Sequence, residues 1–147
     1  MKKYVLDTNL YIRAIRSMDG ARELRDFYQT FAPSTYLSSI VLHELLVGAN
    51  TEGKNRSIQD ALARPLRRAR RVITPSHGAW QMSAEAIARM SRKDKRDLRS
   101  VPKSLIHDYL LAASCREAGA TLITDSVADF AGIRRHIRFE YEAAWPG

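Results

Sequence analysis

The chain has 147 residues, with 24 basic side chains against 16 acidic ones for a formal charge of +8, and a single cysteine. That length suits one domain over residues 1–147, able to bury about 68–70% of its unfolded surface without covalent staples. Lone Cys115 excludes an internal disulfide and a cysteine-rich zinc site, no apolar run approaches the roughly 20 residues a bilayer demands, and Asp7 follows only Tyr4-Val5-Leu6, too soon for the apolar stretch of a signal peptide; a cytoplasmic chain without a membrane partner is expected.

In chain order, Tyr4-Val5-Leu6 reads as the end of a buried strand, followed by a helix over residues 10–17. Ala21, Leu24, Tyr28 and Phe31 form a helical stripe that Pro33 ends, and Thr35-Tyr36-Leu37 predicts a second strand. Ser38 or Ser39 would cap a helix over residues 40–49, with Gly48 near its end. Residues 52–69 are helical in composition, with a break or kink expected at Pro65. Arg71-Val72-Ile73-Thr74 predicts a third strand stopped by Pro75, and Ser76 would cap a helix over residues 77–90 whose buried face is Trp80, Ala84, Ile87 and Ala88. Residues 105–118 give the clearest helix, with Gly119 just past its end. Thr121-Leu122-Ile123-Thr124 and Ile137-Arg138-Phe139 predict the fourth and fifth strands. Strands alternating with helices in this way imply βαβ units, and hence a three-layer α/β/α domain on a mainly parallel sheet of about five strands. Ligands in such sheets bind beyond the carboxyl ends of the strands. Asp7 and Asp125 each directly follow a strand, so both are expected on that rim.

The charge excess is local. Residues 64–103 hold twelve basic residues, among them Arg64, Arg67, Arg68, Arg71, Arg92, Lys93, Lys95, Arg96 and Lys103, against only Glu85, Asp94 and Asp97, a net of +9, while the remainder nets −1. A concentrated basic stretch is the electrostatic footprint of a polyanion partner such as nucleic acid, although a solvated helix face has the same composition.

Glu44 lies inside Ile40-Val41-Leu42-His43-Glu44-Leu45-Leu46-Val47, and Asp108 inside Leu105-Ile106-His107-Asp108-Tyr109-Leu110-Leu111. An acid on the inward face of a helix is costly to desolvate without a cation or hydrogen-bond partner. One such acid is ordinarily an exposed residue, but two, joined by the strand-end aspartate of Asp7-Thr8-Asn9, point to a shared site. No basic residue interrupts any of the three motifs, so a hard divalent cation is the expected counter-charge. Mg²⁺ takes oxygen ligands with positions left for water and phosphate, and such a site cleaves phosphodiesters.

Asp7-Thr8-Asn9 after the first strand, Ser39-x4-Glu44-Leu45, His107-Asp108-x2-Leu111-Ala112-Ala113 and Leu122-Ile123-Thr124-Asp125-x3-Asp129-Phe130 resemble the motifs of the PIN-domain nucleases, in order and over essentially the full length. Within that superfamily the chain most resembles the VapC-type toxins of prokaryotic toxin–antitoxin modules. The resemblance implies a PIN-like fold and an endoribonuclease using Mg²⁺ or Mn²⁺, as one or two ions. It implies a homodimer as well, silenced by a cognate antitoxin that inserts a segment into the active-site groove. Asp7, Glu44 and Asp108 match the family's three best-defined acids. The family often carries Asp or Asn where Ser126 stands here; Asp129 matches the acid before Phe130, and Asp125, one place off, is the alternative fourth ligand.

Thr8, Asn9, Ser39 and Thr124 fall on the same rim, where they could orient a carboxylate or a metal-held water, with helix capping the plainer role for Asn9 and Ser39. His43 and His107 point about 100° aside from the acids they precede, which predicts packing or solvent contact. Cys115 and Trp80 read as core, and Trp145 as packed on the sheet or at an interface. Arg67, Arg68, Arg71, Arg92, Lys93, Lys95 and Arg96 are candidate contacts to RNA phosphates or to an antitoxin. The competing reading is a catalytically impaired PIN-like module that only binds RNA or a partner. A phosphoacceptor domain ranks last, because no lysine ends a later strand.

Overall fold

The chain begins with an apolar strand that ends in an aspartate, and this junction sets the frame of the molecule. The computed structural model of the protein describes residues 1–146. Strand β1 (Lys3–Leu6) leads into helices α1 (Thr8–Arg16) and α2 (Met18–Phe31), then β2 (Thr35–Ser38) and α3 (Ser39–Val47). A long helix follows, made of α4 (Glu52–Ile58), a π-helical turn over Gln59–Ala63, and α5 (Arg64–Arg68). The rest is β3 (Val72–Ile73), α6 (His77–Lys93), α7 (Lys103–Ala118), β4 (Ala120–Thr124), α8 (Val127–Arg134) and β5 (Glu140–Ala143).

The five strands form one sheet in the order β3-β2-β1-β4-β5, every pair parallel, with Val5 opposite Tyr36 on one side and Leu122 on the other. Helices flank the sheet, as the three-layer α/β/α reading requires. From β1 the chain winds outward to β3, then returns through α6 and α7 to β4 on the opposite side of β1. Right-handed crossovers therefore place α1–α5 on one face and α6–α8 on the other. The order reverses between β1 and β4, and such a switch point opens a crevice at the carboxyl ends of the strands.

Burial follows the topology. β4 is buried at every residue, and Val5, Leu6, Leu37, Leu122 and Ile123 are sealed in the middle of the sheet. Seven consecutive residues of α7, Tyr109 to Cys115, are buried, because that helix is wedged between sheet, α6 and α8. Gly119 ends α7 at φ +65, the left-handed conformation that glycine adopts without a Cβ clash. Burial pushes the Cys115 thiol up to about 12, in keeping with an inert core residue.

The structure corrects several expectations. The interruption expected at Pro65 takes the form of a π-helical turn just before it, which accommodates the missing N–H and the proline ring while the chain stays helical. The inward face of α6 is Ala79, Ser83, Ala86 and Met90, one residue round from the expected stripe, so Trp80 is 59% exposed rather than core. The fifth strand is not 137–139. Ile137 and Phe139 are buried loop residues beyond α8, and Glu140–Ala143 pairs with β4 instead, as an edge strand without an apolar signature. The short helix α8 was not anticipated. Trp145 packs on Phe27 of α2, ring centroids 5.2 Å apart.

Candidate active site

Asp7 is the first residue beyond β1 and caps α1. Its backbone N–H donates to Ile123 O of β4 at 2.9 Å, one carboxylate oxygen accepts the Thr8 N–H at 2.8 Å, and the other accepts the Thr124 hydroxyl at 2.7 Å. Thr124 Oγ1 in turn accepts the Ser126 N–H at 2.9 Å. One buried threonine thus ties the ends of β1 and β4 together across the switch point. Burial raises Asp7 above the ordinary carboxylate range, against the opposing hydrogen bonds from Thr124 and Thr8 and with further upward pushes from Asp125 and Asp129.

Glu44 comes to this point from the middle of α3, and Asp108 from the second turn of α7. Both are partly buried. Burial pushes the Asp108 carboxyl up to about 7, with Asp7, Glu44 and Asp129 adding repulsion in that order. Glu44 is raised mainly by burial and by Asp7, while His107, the Thr8 hydroxyl and His43 act the other way. The four acids thus form one repelling set, anchored on three helices and a strand end.

The supporting residues divide. Thr124 is fully buried and bonded to Asp7, and the Thr8 hydroxyl is buried beside Glu44 without a hydrogen bond of normal geometry. Ser38, not Ser39, caps α3 by accepting the Ile40 N–H, and the Ser39 hydroxyl is engaged by Thr74 at 2.6 Å, on the β3 side of the rim. Asn9 is exposed in the first turn of α1, whose cap is Asp7. His43 and His107 pack edge to face, centroids 5.9 Å apart at 87°. Asp125 is exposed and paired with Arg13, Nη1 to Oδ2 2.8 Å, whereas among the described residues no ion pair engages Asp129. No local sequence pattern marks Arg13, because its partners Glu23 and Asp125 lie 10 and 112 positions away. Its one signal is a place six residues beyond Asp7, in the same helix that Asp7 caps.

The basic residues are unequal. Arg67, Arg68, Arg92, Lys93, Lys95 and Arg96 are exposed, but the Arg71 guanidinium donates to the Ala32 carbonyl and is a structural contact. Arg92 to Arg96 lie at the end of α6 and beyond it, in the connection to the helix that carries Asp108.

The donor set fits a hard cation: all carboxylate and hydroxyl oxygen, with a buried, unpartnered Thr8 hydroxyl beside it. Among the described residues no three acidic or imidazole groups already surround a common point, so a bound ion would draw the carboxylates inward.

A family model described as the PIN domain matches residues 4–130. No curated protein sequence matches the chain. Among solved structures, DNA-bound VapBC from Salmonella typhimurium is 22% identical at a TM-score of 0.71, covering 97% of this chain and 98% of that one. VapBC2 from Rickettsia felis, bound to a fragment of promoter DNA, is 23% identical at 0.65, covering 97% and 98%. VapBC-1 from nontypeable Haemophilus influenzae is 22% identical at 0.68, covering 95% and 96%.

Proposed function

This chain belongs to the PIN-domain family, whose members are nucleases, and from that premise we propose that it is a metal-dependent endoribonuclease, the toxin of a toxin–antitoxin pair. The observation that carries the reading is the set of Asp7, Glu44, Asp108 and Asp129 at the switch point, where burial and mutual repulsion push Asp108 up to about 7. Asp7, Glu44 and Asp108, with Asp129 as fourth acid, would hold the cation. Mg²⁺ or Mn²⁺, as one or two ions, would supply charge neutralisation and Lewis acidity toward the scissile phosphate. Thr124 fixes one oxygen of Asp7 and leaves the remaining lone pairs for a ligand. Exposed Arg67, Arg68, Arg92, Lys93, Lys95 and Arg96 draw the RNA backbone toward a rim that is otherwise negative. Water adds across the P–O3′ bond: its oxygen joins phosphorus, a proton goes to the departing 3′ oxygen, and a 5′-phosphate and a 3′-hydroxyl result.

The fold likeness to proteins described as VapBC complexes supports a cognate antitoxin as partner, and the same reading gives a homodimer in the cytoplasm. Among the described residues no helix is long and apolar enough to cross a membrane. The test is RNA cleavage by the intact chain and by Asp7→Asn and Asp108→Asn, with Mg²⁺ or Mn²⁺ and with a chelator. The metal should be required and either substitution should abolish cleavage; undiminished, chelator-resistant cleavage would overturn the mechanism. With Asp125 drawn into an ion pair, a second reading holds if Asp129 does not act as fourth acid: an impaired module that binds RNA without cutting it, which predicts no Mn²⁺ binding.

A further inference from the structure

The sequence offers two candidates for the fourth acid, and the structure treats them differently. Asp125 follows β4 directly, but its Oδ2 is held by Arg13 Nη1 at 2.8 Å. The other terminal nitrogen of Arg13 reaches Glu23 Oε2 at 3.2 Å, and the same oxygen accepts the Trp145 indole N–H at 2.8 Å. Arg13 is further confined by the approach of α2. A Cβ placed on Gly20 would stand 2.4 Å from the Arg13 carbonyl oxygen and 2.7 Å from its Cγ. The guanidinium is therefore fixed between two carboxylates, one of which is itself pinned by an indole from the end of the chain. All three charged groups are partly solvated, so the pair adds little stability. Its consequence is positional.

Asp129 is placed the other way. It lies exposed in the first turn of α8, and among the described residues no ion pair engages it; its charge acts on both Asp7 and Asp108, whereas that of Asp125 acts on Asp7 but not on Asp108. Resting on the metal-dependent reading above, we propose that Arg13 is a positioning residue that withholds Asp125 from the carboxylate cluster, so that Asp129 serves as the fourth acid. The site then keeps four acids even though Ser126 stands where an acid is common among resembling proteins. Without Arg13, two carboxylates, Asp125 and Asp129, would compete for one place.

The test is Mn²⁺ affinity of the intact metal-free chain, read by titration calorimetry and by the paramagnetic resonance of free Mn²⁺, so it does not depend on cleavage. Asp129→Asn should weaken Mn²⁺ binding about 10-fold or more. Asp125→Asn should change it less than about threefold, the scale of a solvated ion pair. Arg13→Met combined with Asp129→Asn should recover most of the loss, because Asp125 is released to fill the place. Arg13→Lys with Asp129→Asn keeps the cation and should stay weak. An Asp125→Asn variant as impaired as Asp129→Asn, or an Arg13→Met/Asp129→Asn chain no tighter than Asp129→Asn alone, overturns the assignment. A parent chain that binds Mn²⁺ no more tightly than Asp129→Asn does overturns this inference alone; a parent chain that binds none overturns the metal-dependent reading with it.

Discussion

Buried acids are expensive, and here the expense falls on Asp108. Its carboxyl, ordinarily near 3.8, is pushed up to about 7 in the folded chain. The native state therefore holds a proton that the unfolded state has released between those values, and metal-free stability falls as pH rises from about 4 to about 7. Asp108→Asn removes that loss, so it should raise the melting temperature of metal-free protein at pH 8 and leave it nearly unchanged at pH 4; melts in a chelator at both pH values check this. Allowing for solvent at the site, the gain at pH 8 is about 1–2 kcal/mol. Thr124→Val keeps the shape but removes the donor to Asp7 and the acceptor for the Ser126 N–H. It should cost about 1–3 kcal/mol in denaturant unfolding, the penalty for unsatisfied buried groups. The acids themselves were legible in the sequence, since a charge inside an apolar helical run has few structural uses. Arg13 was not, because an ion pair to Asp125 across 112 positions leaves no local pattern.

Elements announced themselves where capping chemistry is local. Ser76 before α6 and Gly119 after α7 gave those ends away, as did the Pro33 stop after α2. Legibility failed where burial is set by neighbours. The buried face of α6 is Ala79, Ser83 and Ala86, small residues that allow close approach, with Met90 at its end, and the larger Trp80 is turned out to solvent. The edge strand β5 alternates Glu140, Tyr141 and Glu142, a pattern with no core face to betray it. Among the described glycines, Gly20 has the least room for a Cβ, because α2 presses there on α1 at Arg13. Gly20→Ala should destabilise by about 1–3 kcal/mol, as overpacking does, in chemical denaturation. Because the displaced backbone belongs to Arg13, the same substitution should also disturb the environment of Trp145, visible as changed indole fluorescence in a Trp80→Phe background.

Across the whole molecule, a negative rim at the carboxyl ends of the strands contrasts with a positive segment. The net charge of +8 arises from residues 64–103, and its exposed part includes the connection that leads into α7 and Asp108. Lys93→Glu, Lys95→Glu and Arg96→Glu together should weaken RNA binding and flatten its salt dependence. Three lost phosphate contacts reduce the slope of log K against log salt by about 2. Filter binding across a salt series, with a chelator present to prevent cleavage, reads both effects. The parallel order β3-β2-β1-β4-β5 explains why acids so far apart in sequence belong together: the reversal between β1 and β4 opens the crevice, and α3 and α7 approach it from opposite faces. Whether Asp7, Glu44 and Asp108 jointly hold a cation there is read from a crystal soaked in Mn²⁺ and measured near the manganese absorption edge. An anomalous peak ligated by those carboxylates is expected, with Asp129 and not Asp125 beside it; well-ordered carboxylates with no peak among them would rule such a site out.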